Sequence, residues 1–334
     1  SNKTIINAGC IYIAGKSKNT QTVIQELEKL EDNEVYSKPL LSYLIKNFDI
    51  PENFEKSKVF HHNVPAILSK PQENILQIAS VSDYSVIVGP PGTGKSFTIA
   101  SLAINEAKKG KSVLIVSSNE QAVSVIENKF KKDFGLENFA TRVSNKRSLK
   151  SGLNRNLKRW LNGIGLKGEL DNELKIKEKE VEKIDKEIKK ALKEIAKIEE
   201  KELILGEYLN QEKLGFIDGI KKYFVKRSIE NIKEYYFAIN EYVILNKRLI
   251  RANRNLIEIN QKHRIKKSMH SNRATLSNFR LGLNSKSSGE QLNYLKGVDL
   301  EVLTSVFPVW LATITEIGTA LPMNKEMFDL VILS

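Results

Sequence analysis

The chain has 334 residues, of which 53 are Lys or Arg and 40 are Asp or Glu, a net charge of +13. Its 41% hydrophobic content excludes wholesale disorder and its length suits about two domains. One cysteine, Cys10, excludes a disulfide scaffold or a cysteine zinc site, and no apolar run reaches the roughly 18 residues of a membrane span. A soluble, cytoplasmic protein with an anionic partner and no membrane association is expected.

In chain order, residues 1–70 form a mixed or helical segment broken by Pro39, Pro51 and Pro65. Residues 71–150 alternate apolar runs with helical patterns, the texture of an α/β fold with a parallel sheet. Ser85–Val88 and Ser112–Val116 are the predicted strands, with helices over Lys95–Lys109 and Glu120–Lys131.

Residues 151–297 read as a helical insertion. Of residues 171–200, 10 are acidic and 9 basic, yet the apolar positions keep a heptad. Leu174, Val181, Ile188 and Ile195 recur by sevens, with Ile184, Ala191 and Ile198 on the offset seam. A second run has Tyr235, Tyr242, Leu249 and Leu256 beside Tyr236, Val243, Ile250 and Ile257. Separated by a stretch holding Gly206, Gly215 and Gly219, the two runs predict an antiparallel coiled-coil hairpin. Residues 283–297 read as a linker, and 298–334 return to strand texture at Val309–Thr313 and Phe328–Leu333. The hairpin would then interrupt a single α/β domain.

The sharpest motif is Gly89-Pro90-Pro91-Gly92-Thr93-Gly94-Lys95-Ser96, which fits the phosphate-loop pattern between a Val/Ile run and an amphipathic helix. Glycines let backbone N–H groups converge on phosphate oxygens, and the following helix directs its positive end at them. Lys95 would reach the terminal phosphates and the Ser96 hydroxyl would hold Mg²⁺, so ATP and Mg²⁺ are the expected cofactors. Upstream lies Gln72, whose side-chain amide can both donate to and accept from adenine.

Positive charge is unevenly placed. Residues 141–160 carry seven basic side chains and no acid, and 201–280 carry 17 basic against 8 acidic. Such patches suit a phosphate backbone or serve as solubility charge on a helix. His61, His62, His263 and His270 have no partners at metal-ligand spacing.

Together, the phosphate loop, Gln72, Ser117-Ser118-Asn119 with Ala122-Val123, and the Thr313/Thr315 and Phe328–Ile332 strands resemble superfamily 1 helicases of the Dna2/Nam7, nonsense-mediated-decay type. The resemblance covers residues 71–147 and 305–333 and implies a RecA-like P-loop ATPase fold with a coiled-coil insertion. It implies that Gln72 reads adenine and that Gly89 to Phe97 binds nucleotide. It further implies that Ser117, Ser118, Asn119, Arg142, Lys146, Arg147, Thr313 and Thr315 contact single-stranded DNA or RNA. In that family the motif II strand is followed by Asp-Glu; here Ser334 takes the aspartate position. The expectation is a piece of an ATP-hydrolysing helicase that binds nucleotide but lacks the residues to hydrolyse it. An SMC-like ATPase, with a tethering coil and no unwinding, is the alternative, and a protein partner at the coiled-coil hairpin is a further possibility.

Overall fold

The structure, a computed structural model, describes residues 64–143, 147–166, 168–210, 232–285, 287–320 and 327–334, with Gly219 and Tyr223. The expectations for residues 1–63, for Lys146 and for the stretch between the two coil arms lie outside the described residues.

Helix α1 (Lys70–Val81) starts at a capping box. Its Ser69 side chain and Gln72 satisfy each other's backbone N–H groups, and Pro71 occupies the first turn, where its missing donor does no harm. Helix α2 (Lys95–Lys108) ends at Gly110, whose φ of 93° reverses the chain into β1 (Val113–Ser117). Helix α3 (Glu120–Asn128) is capped by Asn119 Oδ1, which accepts the Ala122 N–H at 2.8 Å. The helix expected to run to Lys131 instead widens into a π-helical turn at Lys129–Asp133, with Phe130 and Phe134 both buried.

Strand β2 (Ala140–Arg142) leads to α4 (Arg147–Leu161). Two long helices follow, α5 (Leu170–Asn210) and α6 (Ile232–Ser271), and then α7 (Arg273–Asn284), α8 (Ser288–Lys296) and α9 (Leu300–Val306). Strand β3 (Val309–Thr313), helix α10 (Ile314–Ala320) and strand β4 (Leu330–Leu333) complete the described chain.

The strands form one parallel sheet ordered β2-β3-β1-β4, so strands on either side of the long helices pair directly. Alternate residues serve opposite layers. Val113, Ile115, Val309 and Leu311 pack against α1, α2 and α3, with Leu76, Ile104, Val123 and Phe130. Leu114, Val116, Trp310 and Ala312 pack under α4, α7 and α9, with Leu157, Phe279 and Leu303. Every residue of β1 and β3 is buried because both faces are covered, which explains their unbroken apolar runs.

Three expectations need correction. Ser85–Val88 is not a strand: the segment is irregular, and Val86 and Val88 are 71% and 91% exposed. A β-branched run becomes a strand only beside a partner ladder, and among the described residues no strand flanks it. Residues 283–297 are not a linker. Ser287 Oγ accepts the Glu290 N–H at 3.2 Å to start α8, and Leu295 is buried against α7.

The third correction concerns the coil. The α5 seam falls on the expected residues, with Ile184, Ile188 and Ala191 in its core. On α6, however, Tyr242 and Leu249 pack with Leu245 and Ala252 in that core, whereas Tyr236 is 63% exposed. Adjacent residues on a helix diverge by about 100°, so only the i, i+3, i+4 partner shares a seam. The arms are antiparallel, with His263 Nε2 against Asp171 Oδ1 at 2.8 Å and Arg248 Nη1 near Glu187 Oε2 at 3.5 Å. No described helix is long and apolar enough to cross a membrane.

Candidate functional site

The turn at Gly110 joins the C-terminal end of α2 directly to β1, so the two elements run antiparallel. The N-terminus of α2, with the Gly89–Ser96 loop, therefore lies at the edge where the parallel strands end. In open α/β sheets that edge is where ligands bind.

Two glycines of the loop, Gly92 and Gly94, have φ of 84° and 82°, the left-handed region that side chains other than glycine's rarely adopt. Gly94 is also the N-cap of α2. A Cβ at Gly94 would stand 3.3 Å from Gln72 Nε2, and one at Gly89 would stand 3.0 Å from Thr93 Oγ1 and 3.4 Å from Lys95 Cγ. Thr93 closes the turn by donating from Oγ1 to the Pro90 carbonyl at 2.8 Å. Lys95 is exposed, and neither its ammonium nor the Ser96 hydroxyl has a partner among the described residues. Left-handed glycines, a helix N-terminus and a free cation form a cradle whose donor set suits a phosphate. Toward a divalent cation these residues offer the Ser96 hydroxyl; among the described residues no group of three acids, histidines or cysteines is placed to hold a metal.

Gln72 lies beside this loop with one end of its amide committed, since Oε1 accepts the Ser69 N–H at 3.0 Å. Phe97 turns away, its ring stacked on Phe134 with centroids 4.9 Å apart, and so packs α2 onto the core. Helix α1 is tied to α2 by the buried carboxylate of Glu106. Its Oε1 accepts from Ser80 Oγ at 2.8 Å, Asn105 Nδ2 at 3.0 Å and Lys109 Nζ at 2.6 Å, and Lys111 Nζ sits 3.0 Å from Oε2. Burial by itself would raise this carboxyl's pKa; the hydrogen bonds from Lys109, Lys111 and Ser80 outweigh it and hold the value below the usual range. Sequence reading missed this tie, whose only local signal is the Glu106/Lys109 spacing.

The candidate strand-contact residues separate into two groups. Ser117 pairs with Thr313 across β1 and β3, which brings Ser117, Ser118 and Asn119 beside Thr313 and Thr315 at the strand ends. Asn119 is exposed, and its Nδ2 has no partner among the described residues. Thr313 Oγ1 donates to Glu316 Oε2 at 2.9 Å and lies 3.2 Å from Thr315 Oγ1. Arg142 does not join them. Its side chain is 4% exposed and faces Ser124 Oγ at 2.8 Å and Glu127 Oε2 at 3.4 Å. Arg147 begins α4.

Asp329, the acid of the last strand, lies at the opposite edge. Its Oδ2 accepts from the Ser112 N–H at 2.7 Å and the Ser112 hydroxyl at 2.8 Å. Those bonds, the backbone one first, hold its pKa below the usual carboxylate range and pin β4 to β1.

A three-layer parallel sheet with a glycine cradle at its strand ends defines a P-loop nucleoside-triphosphatase. The family described as "AAA domain" matches residues 68–332, and the chain belongs to it. The chain is also similar to the ATP-dependent helicase NAM7 of Saccharomyces cerevisiae, at 32% identity over 136 residues. That match covers 40% of this chain and 13% of that protein. The chain falls in the Dna2/Nam7-like group of superfamily 1 helicases and has a helicase-like, ATP-binding fold. No solved structure matches it.

Proposed function

We infer that this chain is the nucleotide-binding lobe of an ATP-dependent helicase or translocase, with a coiled-coil insertion at 151–297 between the two halves of the lobe. The observation that carries the reading is the Gly89–Ser96 cradle at the strand ends, with Lys95 unpartnered among the described residues. Backbone N–H groups of the loop and the end of α2 bind the phosphates, Lys95 neutralises their charge, and Ser96 ligates Mg²⁺. Gln72 borders the base. Its Nε2 is the group left to meet adenine while Oε1 serves the cap.

On the same edge, Asn119 Nδ2, the Ser118 hydroxyl and Thr315 face a single strand of DNA or RNA, with Thr313 behind them. Arg142 is assigned no strand contact and acts instead as an internal brace for α3. Lys95→Ala tests the reading: affinity for a fluorescent ATP analogue in Mg²⁺ should be lost, and retained micromolar binding would reject the site.

A further inference from the structure

Helices α4 and α7 lie side by side and antiparallel. Asn154 and Asn284 exchange side-chain amide hydrogen bonds at one end, the bond from Asn284 Nδ2 at 3.2 Å, and Arg273 Nη2 donates to the Leu161 carbonyl at 2.7 Å at the other. Their inner faces are apolar. Leu157, Leu276 and Phe279 are buried, and Leu153, Trp160 and Leu283 pack against the same cluster.

The outer faces carry one sign of charge. The 27 residues of the two helices contain five basic side chains on α4, two on α7 and no acid. Arg155, Lys158 and Arg159 sit at i, i+3 and i+4 and are all exposed. Arg273 and Arg280, two turns apart on α7, complete the group. None of these five forms an ion pair among the described residues. A helix exposed for solubility alone normally interleaves both signs, as α5 does with Lys177–Glu180 at 2.7 Å and Lys189–Asp185 at 2.8 Å. The contrast within one chain sets this face apart.

Position adds a second argument. Helix α4 leaves the strand-end edge just after β2 and runs to the opposite edge, where Trp160 stacks on Phe307 with centroids 6.2 Å apart. Of its exposed cations, Arg155 lies midway along the helix and Lys158 and Arg159 next to Trp160, so the row runs down the flank of the lobe toward the edge opposite Asn119.

We propose that the α4–α7 face is a second polynucleotide-binding surface, which holds the phosphate backbone of the strand beyond the segment at the Asn119 edge, without reading bases. The proposal extends the polynucleotide reading above but stands on different residues. Lys and Arg heads on a rigid helical layer neutralise phosphates and release counterions, so binding is strong at low salt and indifferent to sequence.

The test uses the whole chain, with a fluorescein-labelled oligothymidylate about twenty nucleotides long as the probe. The triple variant Arg155→Gln, Lys158→Gln, Arg159→Gln should lower the log–log salt slope by about 2, at roughly 0.7 per lost single-strand phosphate contact. The same relation gives a loss of roughly 100-fold in affinity near 0.1 M salt. The charge-keeping pair Arg155→Lys, Arg159→Lys should retain the slope, which separates charge from folding. An unchanged slope in the triple variant overturns the second surface while leaving the Asn119 edge standing. If Asn119→Ala has no effect and the triple variant has its full effect, the edge fails and this surface stands. Tighter binding of poly-L-glutamate than of the oligonucleotide assigns the face to an acidic protein and overturns the proposal.

Discussion

Glu106→Gln changes one atom type inside the tie between α1 and α2, and its consequence can be worked from the geometry. The wild-type carboxylate is 0% exposed; its Oε1 accepts from Ser80, Asn105 and Lys109, and its Oε2 forms an ion pair with Lys111 at 3.0 Å. A buried charge-assisted bond is worth about 1.5–3 kcal/mol, but Lys109 and Lys111 are 34% and 43% exposed and regain water when released. Each lysine then accounts for about 1 kcal/mol. The Ser80 hydroxyl keeps its bond to the Leu76 carbonyl at 2.7 Å and loses little. The new amide N–H₂ presents donors where an acceptor stood. A net loss of about 2–3 kcal/mol at pH 7 is expected.

Urea unfolding at several pH values measures it. The folded-state pKa of Glu106 lies below its ordinary value of 4.5, so its contribution is complete above that pH and fades as acid protonates the folded form. The gap between wild type and variant should therefore close as pH falls below about 4.5. Because Gln72 and Ser80 share α1, affinity for an ATP analogue should drop a few-fold as well. A gap under about 0.5 kcal/mol at pH 7, or one unchanged in acid, would refute the assignment of a charged network here.

Gly94→Ala should abolish nucleotide binding and destabilise by about 1–2 kcal/mol, since φ of 82° strains any Cβ; calorimetry with and without nucleotide checks both parts. Lys108→Met should stabilise the chain at neutral pH by about 1–2 kcal/mol. Burial, opposed in part by Glu178, lowers the Lys108 pKa to about 8, and removing that penalty exceeds the loss of its 3.4 Å bond to Asn253. Between pH 8 and 10.5 the wild-type folded state sheds this proton while the unfolded chain keeps it, so the variant's advantage should disappear over that interval in thermal melts. Leu245→Asp, at a coil position 3% exposed, should cost about 3 kcal/mol or more and reduce helicity by circular dichroism, whereas Tyr236→Asp on the outer face should change little.

Much of the site was legible from local sequence because its chemistry is local. The glycine-rich phosphate loop, the helix beginning at Lys95 and the helix beginning at Glu120 each follow from residues within a few positions of one another. The α5 seam was legible for the same reason, since a heptad states its own partner face. On α6 two sevenfold rows ran side by side, at Tyr235/Tyr242 and at Tyr236/Val243, and sequence had no means of ranking them. Packing against Ile188 and Ala191 selected Tyr242, Leu245 and Ala252.

Charge shows the same division from the other side. Residues 141–160 read as one basic patch, yet the structure sends Arg142 inward to Ser124 and Glu127 while Arg155, Lys158 and Arg159 face water. The nucleotide cradle, the helix caps and the heptads were thus determined by the order of residues, through steric and hydrogen-bonding rules that act over one turn. Which Val/Ile run becomes a strand, which arginine is buried and which helices share a charged flank were decided only on folding. Ladder partners, burial and surface juxtaposition are supplied by residues that can lie more than a hundred positions away, as Asn284 does for Asn154.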